Sequence, residues 1–147
     1  MNKYYTPDIE EFCVGFECEI LTSYDWIKGT FPSVLFQDTL TGFEAQKDLF
    51  KATKNASIKV KYLDGSDIEE LGFKYKAKTI DLWFEKEGIY LREDGHHLTN
   101  IKLQYGLHDN KLKITFCYVS GEEQIHFEGK IKNKSELVKL LKMLEIN

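Results

Sequence analysis

Two glutamates near the N-terminus, Glu17 and Glu19, have the spacing best suited to metal chemistry. They alternate along a segment that is predicted to be a strand, so both side chains point to the same face. Carboxylate pairs of this kind bind hard cations such as Mg²⁺ through oxygen ligands. The same pattern is typical of the solvated face of any amphipathic strand. A metal site at this pair is therefore the alternative hypothesis, and the main interpretation includes no metal ligand.

The segment around these glutamates, Gly-Phe-Glu-Cys-Glu at residues 15–19, resembles the metal-binding strand of glutamine-synthetase-like carboxylate–amine ligases. The resemblance implies a metal-dependent enzyme. Those ligases are much longer chains, and they need a nucleotide-binding segment and further acidic strands that this sequence does not show. It also contains no Gly-rich phosphate loop and no Gly-x-Ser-x-Gly motif. We therefore expect no cofactor, and a metal-dependent enzyme is the second hypothesis.

Histidine and cysteine offer two other kinds of site. The four histidines lack zinc-ligand spacing, since neither Cys-x-x-Cys nor His-x-x-x-His occurs. They are His96, His97, His108 and His126. A type II′ turn with Gly121 at its first central position predicts a hairpin that places Cys117 opposite His126, where an imidazole can stabilise a thiolate. A flat strand face provides no pocket or oxyanion hole, so we interpret the two as a cross-strand pair and predict no catalytic residue.

Five lysines alternate along two further predicted strands; they are Lys59, Lys61, Lys74, Lys76 and Lys78. If those two strands paired, the lysines would form a basic patch able to hold an anionic ligand. Tyr62 and Tyr75 point to the opposite face, so the patch would lack a stacking surface for bases. Lysine on an edge strand also blocks aggregation. A solvated strand face is therefore the preferred interpretation.

The best candidate for a partner interface lies in the second half of the chain. A tight hairpin is predicted at Glu87-Gly88. Its buried face would contain Leu82, Phe84, Ile89 and Leu91. The pleat then sends Trp83, Tyr90 and Arg92 together to the other face. These three residue types are those most enriched at binding hot spots. We predict that this surface binds a protein partner or a second copy of the chain.

The elements that carry these residues are mostly strands. Apolar residues alternate along the first strand; they are Phe12, Val14, Phe16, Cys18 and Ile20. Residues 31–37 predict a second strand. Residues 39–54 carry too few apolar positions to define an element, and we assign a helix to 40–54. A short helix follows, with Ser66 and Glu69 at the spacing of a capping box. Residues 73–78 then predict a half-buried strand.

The second half predicts an antiparallel meander that ends in a helix. Turns are predicted at Asp109-Asn110 and at residues 120–123, between alternating strands. The closing helix, at 135–145, carries Leu137, Leu140, Leu141 and Leu144 in one stripe. That stripe must cover a sheet face, so the predicted fold is α+β, largely antiparallel, with a C-terminal helix packed on one face. The length predicts one domain covering residues 1–147.

Charge and composition restrict the partners and the compartment. The chain has 20 Lys plus Arg against 24 Asp plus Glu, a net charge of −4, far from the basic excess that nucleic-acid binding requires. Residues 1–9 lack the apolar core of a signal peptide, and no stretch approaches the length of a membrane span. Three cysteines do not make a disulfide framework. We expect a cytoplasmic protein without a nucleic-acid or membrane partner.

Four segments together carry one further resemblance: residues 4–9 (YYTPDI), 14–17 (VGFE), 61–73 (KYLDGSDIEELGF) and 131–137 (IKNKSEL). They resemble a group of small uncharacterised proteins encoded by gut bacteria and their tailed phages, a group with no known activity. The resemblance implies a small cytoplasmic protein of a mobile element that binds a host or virion component. The predicted function is therefore that of a binding or accessory protein acting through protein–protein interaction.

Overall fold

The computed structural model describes residues 3–8, 11, 16–21, 25–31, 58–91 and 97–146. The chain divides into two compact units, Met1–Tyr62 and Leu63–Asn147. Each unit contains one antiparallel sheet, and the described part of the second unit also contains two helices. The α+β class and the antiparallel sheets are confirmed, while the single domain stays a prediction.

The first unit contains a four-stranded sheet. Its strands are β1 (Tyr4–Tyr5), β2 (Glu17–Leu21), β3 (Trp26–Thr30) and β4 (Ile58–Lys61), in the order β1-β4-β2-β3. One face is apolar, with Phe16, Cys18, Ile58 and Val60 buried. The predicted alternation is therefore confirmed for residues 16–20. The predictions for residues 12–15, for most of the strand at 31–37 and for the helix at 40–54 lie outside the described residues.

The second unit contains a five-stranded meander, as predicted. Its strands follow each other in chain order: β5 (Lys74–Lys78), β6 (Leu82–Leu91), β7 (His97–Tyr105), β8 (Lys111–Tyr118) and β9 (Glu123–Lys130). The helix α1 (Gly65–Glu70) precedes the sheet, and α2 (Lys134–Met143) follows it. All four strand pairs are antiparallel, because short loops join neighbouring strands.

The core of the second unit lies on one face of this sheet. Alternate residues of the central strands are fully buried there, among them Phe84, Ile101, Leu103, Ile114 and Phe116. Leu137 and Leu141 of α2 are buried in the same cluster, and Leu140 and Leu144 pack against it. The leucine stripe therefore covers the sheet, which confirms the predicted packing of the C-terminal helix.

The opposite face of this sheet, here called the outer face, presents mostly polar side chains. One row of cross-strand neighbours runs through Ala77, Trp83, Gln104, Lys113 and Glu128, across all five strands. A second row contains Glu85, Lys102, Thr115 and Ile125. Cross-strand neighbours on one face have Cβ atoms about 5 Å apart, so each row is a continuous surface.

The predicted hairpin at Glu87-Gly88 is wrong. Both residues lie inside β6, which is one strand from Leu82 to Leu91 and pairs with β7 along its length. The register shifts between Glu87 and Tyr90, and Gly88 has φ 153° within this bulge. A glycine after an acidic residue is common in both tight turns and bulges, so local composition does not distinguish the two.

The predicted register of the last hairpin is also wrong. Tyr118 N donates to Glu122 O (2.9 Å), so the loop contains three residues and not two. Gly121 has φ +86° and takes the left-handed position at the end of that loop. Consequently Cys117 pairs with Glu123, and a bulge at His126 separates the pairs Thr115–Ile125 and Ile114–Phe127.

Two smaller predictions are shifted by a few residues. The capping box of α1 is formed by Asp64 and Asp67, whose carboxylates each accept a hydrogen bond from the other's backbone N–H, at 3.2 and 3.1 Å. The side chain of Ser66 instead donates to Asp64 Oδ1 (2.6 Å). The turn predicted at Asp109-Asn110 is a loop of residues 107–110, closed by a bond from Gly106 N to Lys111 O (2.8 Å).

Candidate functional site

Trp83 lies on the outer face of β6, next to the edge strand β5. Its neighbours across the strands are Ala77 of β5 and Gln104 of β7. Because the Ala77 side chain is small and β5 is exposed along its whole length, little protein covers the indole on that side. The Trp83 side chain is 37% exposed, so it is available at the surface of this unit.

The structure does not bring Trp83 and Tyr90 together through a hairpin. Trp83 and Tyr90 belong to the same strand and are separated by about 20 Å at the rise of an extended chain. Tyr90 is paired with Leu98 across β7. Arg92 lies outside the described residues. The part of the predicted surface that can be located is therefore Trp83 alone.

The pair Glu17 and Glu19 points to one face of β2, as predicted, but each carboxylate has a lysine partner. Glu19 Oε2 lies 2.9 Å from Lys59 Nζ, and Glu17 Oε2 lies 3.7 Å from Lys28 Nζ. The Lys59 ammonium also lies over the rings of Trp26 (4.1 Å) and Tyr4 (4.5 Å). No group of three His, Cys, Asp or Glu residues that could hold a metal ion is found among the described residues.

Cys117 and His126 lie on opposite faces of the second sheet. His126 stacks on Phe116 of the core face, with ring centroids 4.0 Å apart, and its Nε2 is 2.9 Å from Tyr118 Oη. Cys117 is buried on the outer face beside the ion pair of Lys102 and Glu123 (2.6 Å). Burial raises the pKa of the Cys117 thiol, and the nearby Lys102 charge opposes this shift. The predicted cross-strand pair is therefore wrong.

The five lysines do not form one patch by strand pairing. Lys59 and Lys61 lie on β4, which pairs with β1 and β2, whereas β5 pairs with β6. The condition for the basic patch is therefore not met, and β5 is exposed where the sequence predicts a half-buried strand. The β5 lysines are Lys74, Lys76 and Lys78.

One β5 lysine takes part in a compact charged group. Lys76 Nζ lies 2.8 Å from Glu87 Oε1 and 3.3 Å from Glu85 Oε2. The hydrogen bond between Lys76 and Glu87 raises the pKa of the lysine and lowers the pKa of the carboxyl group. The Lys76 cation is thereby neutralised by two carboxylates of its own sheet.

That the four histidines form no zinc site stays a prediction. His97 and His108 are exposed, at the start of β7 and in the loop after it. His126 makes the contacts described above, and His96 lies outside the described residues.

A polar pocket of about 270 Å³ opens at the end of β7 in the second unit. It is lined by Asp81, Gln104, Gly106, Asp109, Lys111, Leu112, Lys113 and Glu128. Its residues come from four separate segments that meet only through the pairing of β6, β7, β8 and β9. The Gly and Asp residues of the loop after β7 are a weak sequence signal, but the long-range register that completes the pocket is not visible in the sequence.

The sequence matches no protein-family model, no curated protein and no solved structure. Neither helix in the part of the chain that the structure describes has the length and hydrophobicity needed to cross a membrane. The function must therefore be inferred from the geometry of the sites.

Proposed function

We propose that this protein is a small cytoplasmic binding or accessory protein that contacts another protein through the outer face around Trp83. The exposed indole of Trp83 is the observation that carries this proposal. Tryptophan offers a large apolar area that a partner can cover, and it is among the residues most enriched at hot spots.

The surroundings of Trp83 support the same function. Lys76, Glu85 and Glu87 form a group of ion pairs on the β5 and β6 strands. On the other side, Gln104 Nε2 donates to Asp81 Oδ2 (2.5 Å). Aromatic residues surrounded by satisfied polar groups are typical of interfaces, where the polar rim excludes water from the central contact.

The class of partner that we propose follows from the sequence resemblance. Small proteins of gut bacteria and their tailed phages are expected to act on a host or virion protein. Cys18 and Cys117 are free thiols, which is compatible with a reducing compartment. A second copy of the chain is the other partner that the outer face could bind.

Affinity capture with matched variants tests the proposal. The parent protein, Trp83→Ala and Ile125→Ala are each immobilised and exposed to a lysate of the native host. Ile125 is the matched control because it is 55% exposed on the same face at the opposite edge of the sheet. Any protein retained by the parent is then purified and its affinity for all three is measured.

We expect Trp83→Ala to weaken binding by ~2 kcal/mol or more, about 30-fold in Kd, while Ile125→Ala keeps the parent affinity. The thermal melt of Trp83→Ala should stay close to that of the parent, because the side chain lies at the surface. Sedimentation of the three proteins measures self-association, which Trp83→Ala should weaken and Ile125→Ala should leave unchanged. Equal binding by all three, or unfolding of Trp83→Ala, contradicts the proposed interface.

A further inference from the structure

The polar pocket at the end of β7 has two carboxylates at one end. A methyl group at Gly106 would lie 3.2 Å from Asp81 Oδ1 and would overlap Asp109 Oδ1. The Asp109 carboxylate therefore lies directly against the backbone at Gly106. Asp81 and Asp109 consequently converge on one small volume, where their negative charges reinforce each other.

This end of the pocket contains carboxylate and amide oxygens that can accept hydrogen bonds. Asp81 Oδ2 accepts from Gln104 Nε2 (2.5 Å), so the amide oxygen of Gln104 is left as a further acceptor. Asp109 Oδ1 accepts from Lys111 N (3.0 Å). Within the described ranges, no ion pair reaches the carboxylate of either aspartate.

Lys113 also lines the pocket, on β8. Lys113 lies on β8 between Gln104 of β7 and Glu128 of β9. Glu128 Oε1 is 3.1 Å from Lys111 Nζ, so that carboxylate is already paired. For Lys113, the described part of the chain provides no ion pair at all. The pocket thus has carboxylates near Gly106 and, on β8, the ammonium group of Lys113, for which the described residues provide no ion-pair partner.

We propose that this pocket binds a small zwitterion of the α-amino acid type. Its ammonium group lies between Asp81 and Asp109, and its carboxylate binds Lys113. A primary ammonium group has three N–H donors, which match the two carboxylates and the Gln104 oxygen. Each contact is charge-assisted, and such hydrogen bonds are about twice as strong as neutral ones. The ligand contacts do not include Trp83, although Asp81 and Gln104 also border the proposed protein interface.

The geometry favours this ligand over its two simpler alternatives. An amine without a carboxylate would leave Lys113 unmatched, and a carboxylate without an amine would face two aspartates. A divalent cation such as Ca²⁺ takes six or more oxygen ligands, whereas the carboxylates of Asp81 and Asp109 with the Gln104 amide oxygen match the three N–H donors of an ammonium group.

Isothermal titration calorimetry of the full chain with the free L-amino acids tests the site. Methylamine and acetate serve as probes that carry only one of the two charges, and Ca²⁺ serves as the competing cation. We expect saturable binding of at least one amino acid, with methylamine and acetate each about tenfold weaker or more, because methylamine lacks the contact to Lys113 and acetate lacks the ammonium contacts to Asp81 and Asp109. The absence of saturable binding by every amino acid overturns the proposal, and so does tighter binding of methylamine or Ca²⁺.

Variants then locate the site. Asp81→Asn and Lys113→Met should each weaken amino-acid binding about tenfold, since each removes one charged contact. Lys139→Met, an exposed residue of α2, removes the same charge elsewhere and should leave the affinity unchanged. Trp83→Ala should also retain the ligand, which separates this site from the proposed protein interface. Unchanged affinity in both Asp81→Asn and Lys113→Met, with thermal melts like that of the parent, overturns the assignment.

Discussion

Burial controls the chemistry of Cys18 and Cys117. Cys18 lies in the core of the first unit, and burial raises the pKa of its thiol to about 11. The pKa of Cys117 is raised in the same direction, again mainly by desolvation. Because the thiolate is the reactive form, both side chains are poor nucleophiles near neutral pH.

We expect neither thiol to react with a disulfide reagent in the folded protein at mildly alkaline pH, and both to react after unfolding. Cys13 lies outside the described residues, so the measurement uses a Cys13→Ser variant in which two thiols are left. Absorbance of the released thiolate with and without denaturant counts the reactive groups. Rapid modification of the native variant would contradict the burial of these side chains.

The raised pKa of Cys18 also predicts a loss of stability at alkaline pH. Between its ordinary value of 9.0 and about 11, the unfolded chain releases this proton while the native protein retains it. Ionisation therefore favours unfolding, so the stabilising contribution is complete below pH 9.0 and is lost as the pH rises to about 11. A shift of this size corresponds to roughly 3 kcal/mol at most.

Thermal melts across this pH range, with the parent and Cys18→Ala, measure the effect. We expect the fall in Tm above pH 9.0 to be smaller for Cys18→Ala than for the parent. Some loss should persist in the variant, because burial also raises the pKa of Tyr105. Parallel Tm profiles for the two proteins would show that Cys18 does not contribute.

At the scale of the elements, the packing of α2 makes the clearest prediction. Leu141 is buried against the sheet, so Leu141→Ala should lower the free energy of unfolding by ~2–5 kcal/mol. Met143 belongs to the same helix but is 73% exposed, so Met143→Ala should change it by less than about 0.5 kcal/mol. Urea unfolding of both variants provides the comparison, and equal stability of the two would mean that the helix is not docked.

The loop between β8 and β9 depends on the conformation of Gly121. No side chain or backbone atom lies within 4 Å of the position that a Cβ would take, so a substitution meets no steric obstacle there. The cost comes from φ +86°, which L-residues adopt with a penalty of roughly 1–2 kcal/mol. Gly121→Ala should therefore lose about 1 kcal/mol of stability, and Gly121→Asn less, because asparagine tolerates this conformation. Urea unfolding that ranks asparagine below alanine would contradict this explanation.

The sequence predicts those strands and helices in which the spacing of the apolar residues marks the buried face. Ile101, Leu103 and Tyr105 alternate with polar residues and are all fully buried, as expected for a strand that faces a core. The leucine stripe on α2 is predictable in the same way, because its helical spacing marks the face that packs on the sheet. The alternation of Glu17 and Glu19 on one face was predictable for the same reason, although their lysine partners come from other strands.

Register and bulges could not be predicted, because they depend on which residues pair across strands. Gly121 suits both a two-residue and a three-residue loop, yet the choice decides whether Cys117 faces His126 or Glu123. The sequence predicts a turn at Glu87-Gly88 for a similar reason, because a glycine after an acidic residue suits both a turn and the bulge that β6 contains. The polar pocket could not be predicted either, since Asp81 and Glu128 meet only through three strand pairings.

At the scale of the whole molecule, the second sheet ends in an edge strand that resists further pairing. β5 carries three lysines in five residues and has a register shift between Tyr75 and Ala77. Charged side chains and bulges both prevent an edge from pairing with another chain. Lys76 forms ion pairs with two glutamates of β6. Lys74 and Lys78 add two further positive charges to this exposed strand.

The double variant Lys74→Gln and Lys78→Gln should therefore aggregate more readily on heating, as measured by light scattering. The control, Lys139→Gln with Lys142→Gln, removes the same charge from α2 and leaves the edge unchanged. We expect scattering to begin at a lower temperature in the edge variant than in the control. Identical onsets would show that net charge, and not the edge strand, governs aggregation.

The bulges of the second sheet also determine where single residues can be inserted into its strands or deleted from them. Each of the four strand pairs contains one register shift, where one strand has one residue more than its partner. Deleting that residue, such as Lys76 or His126, would restore regular alternation, whereas a deletion elsewhere in a strand would turn the following side chains to the wrong face. Single-residue insertions and deletions in descendants of this gene should therefore be tolerated at the bulges and eliminated between them.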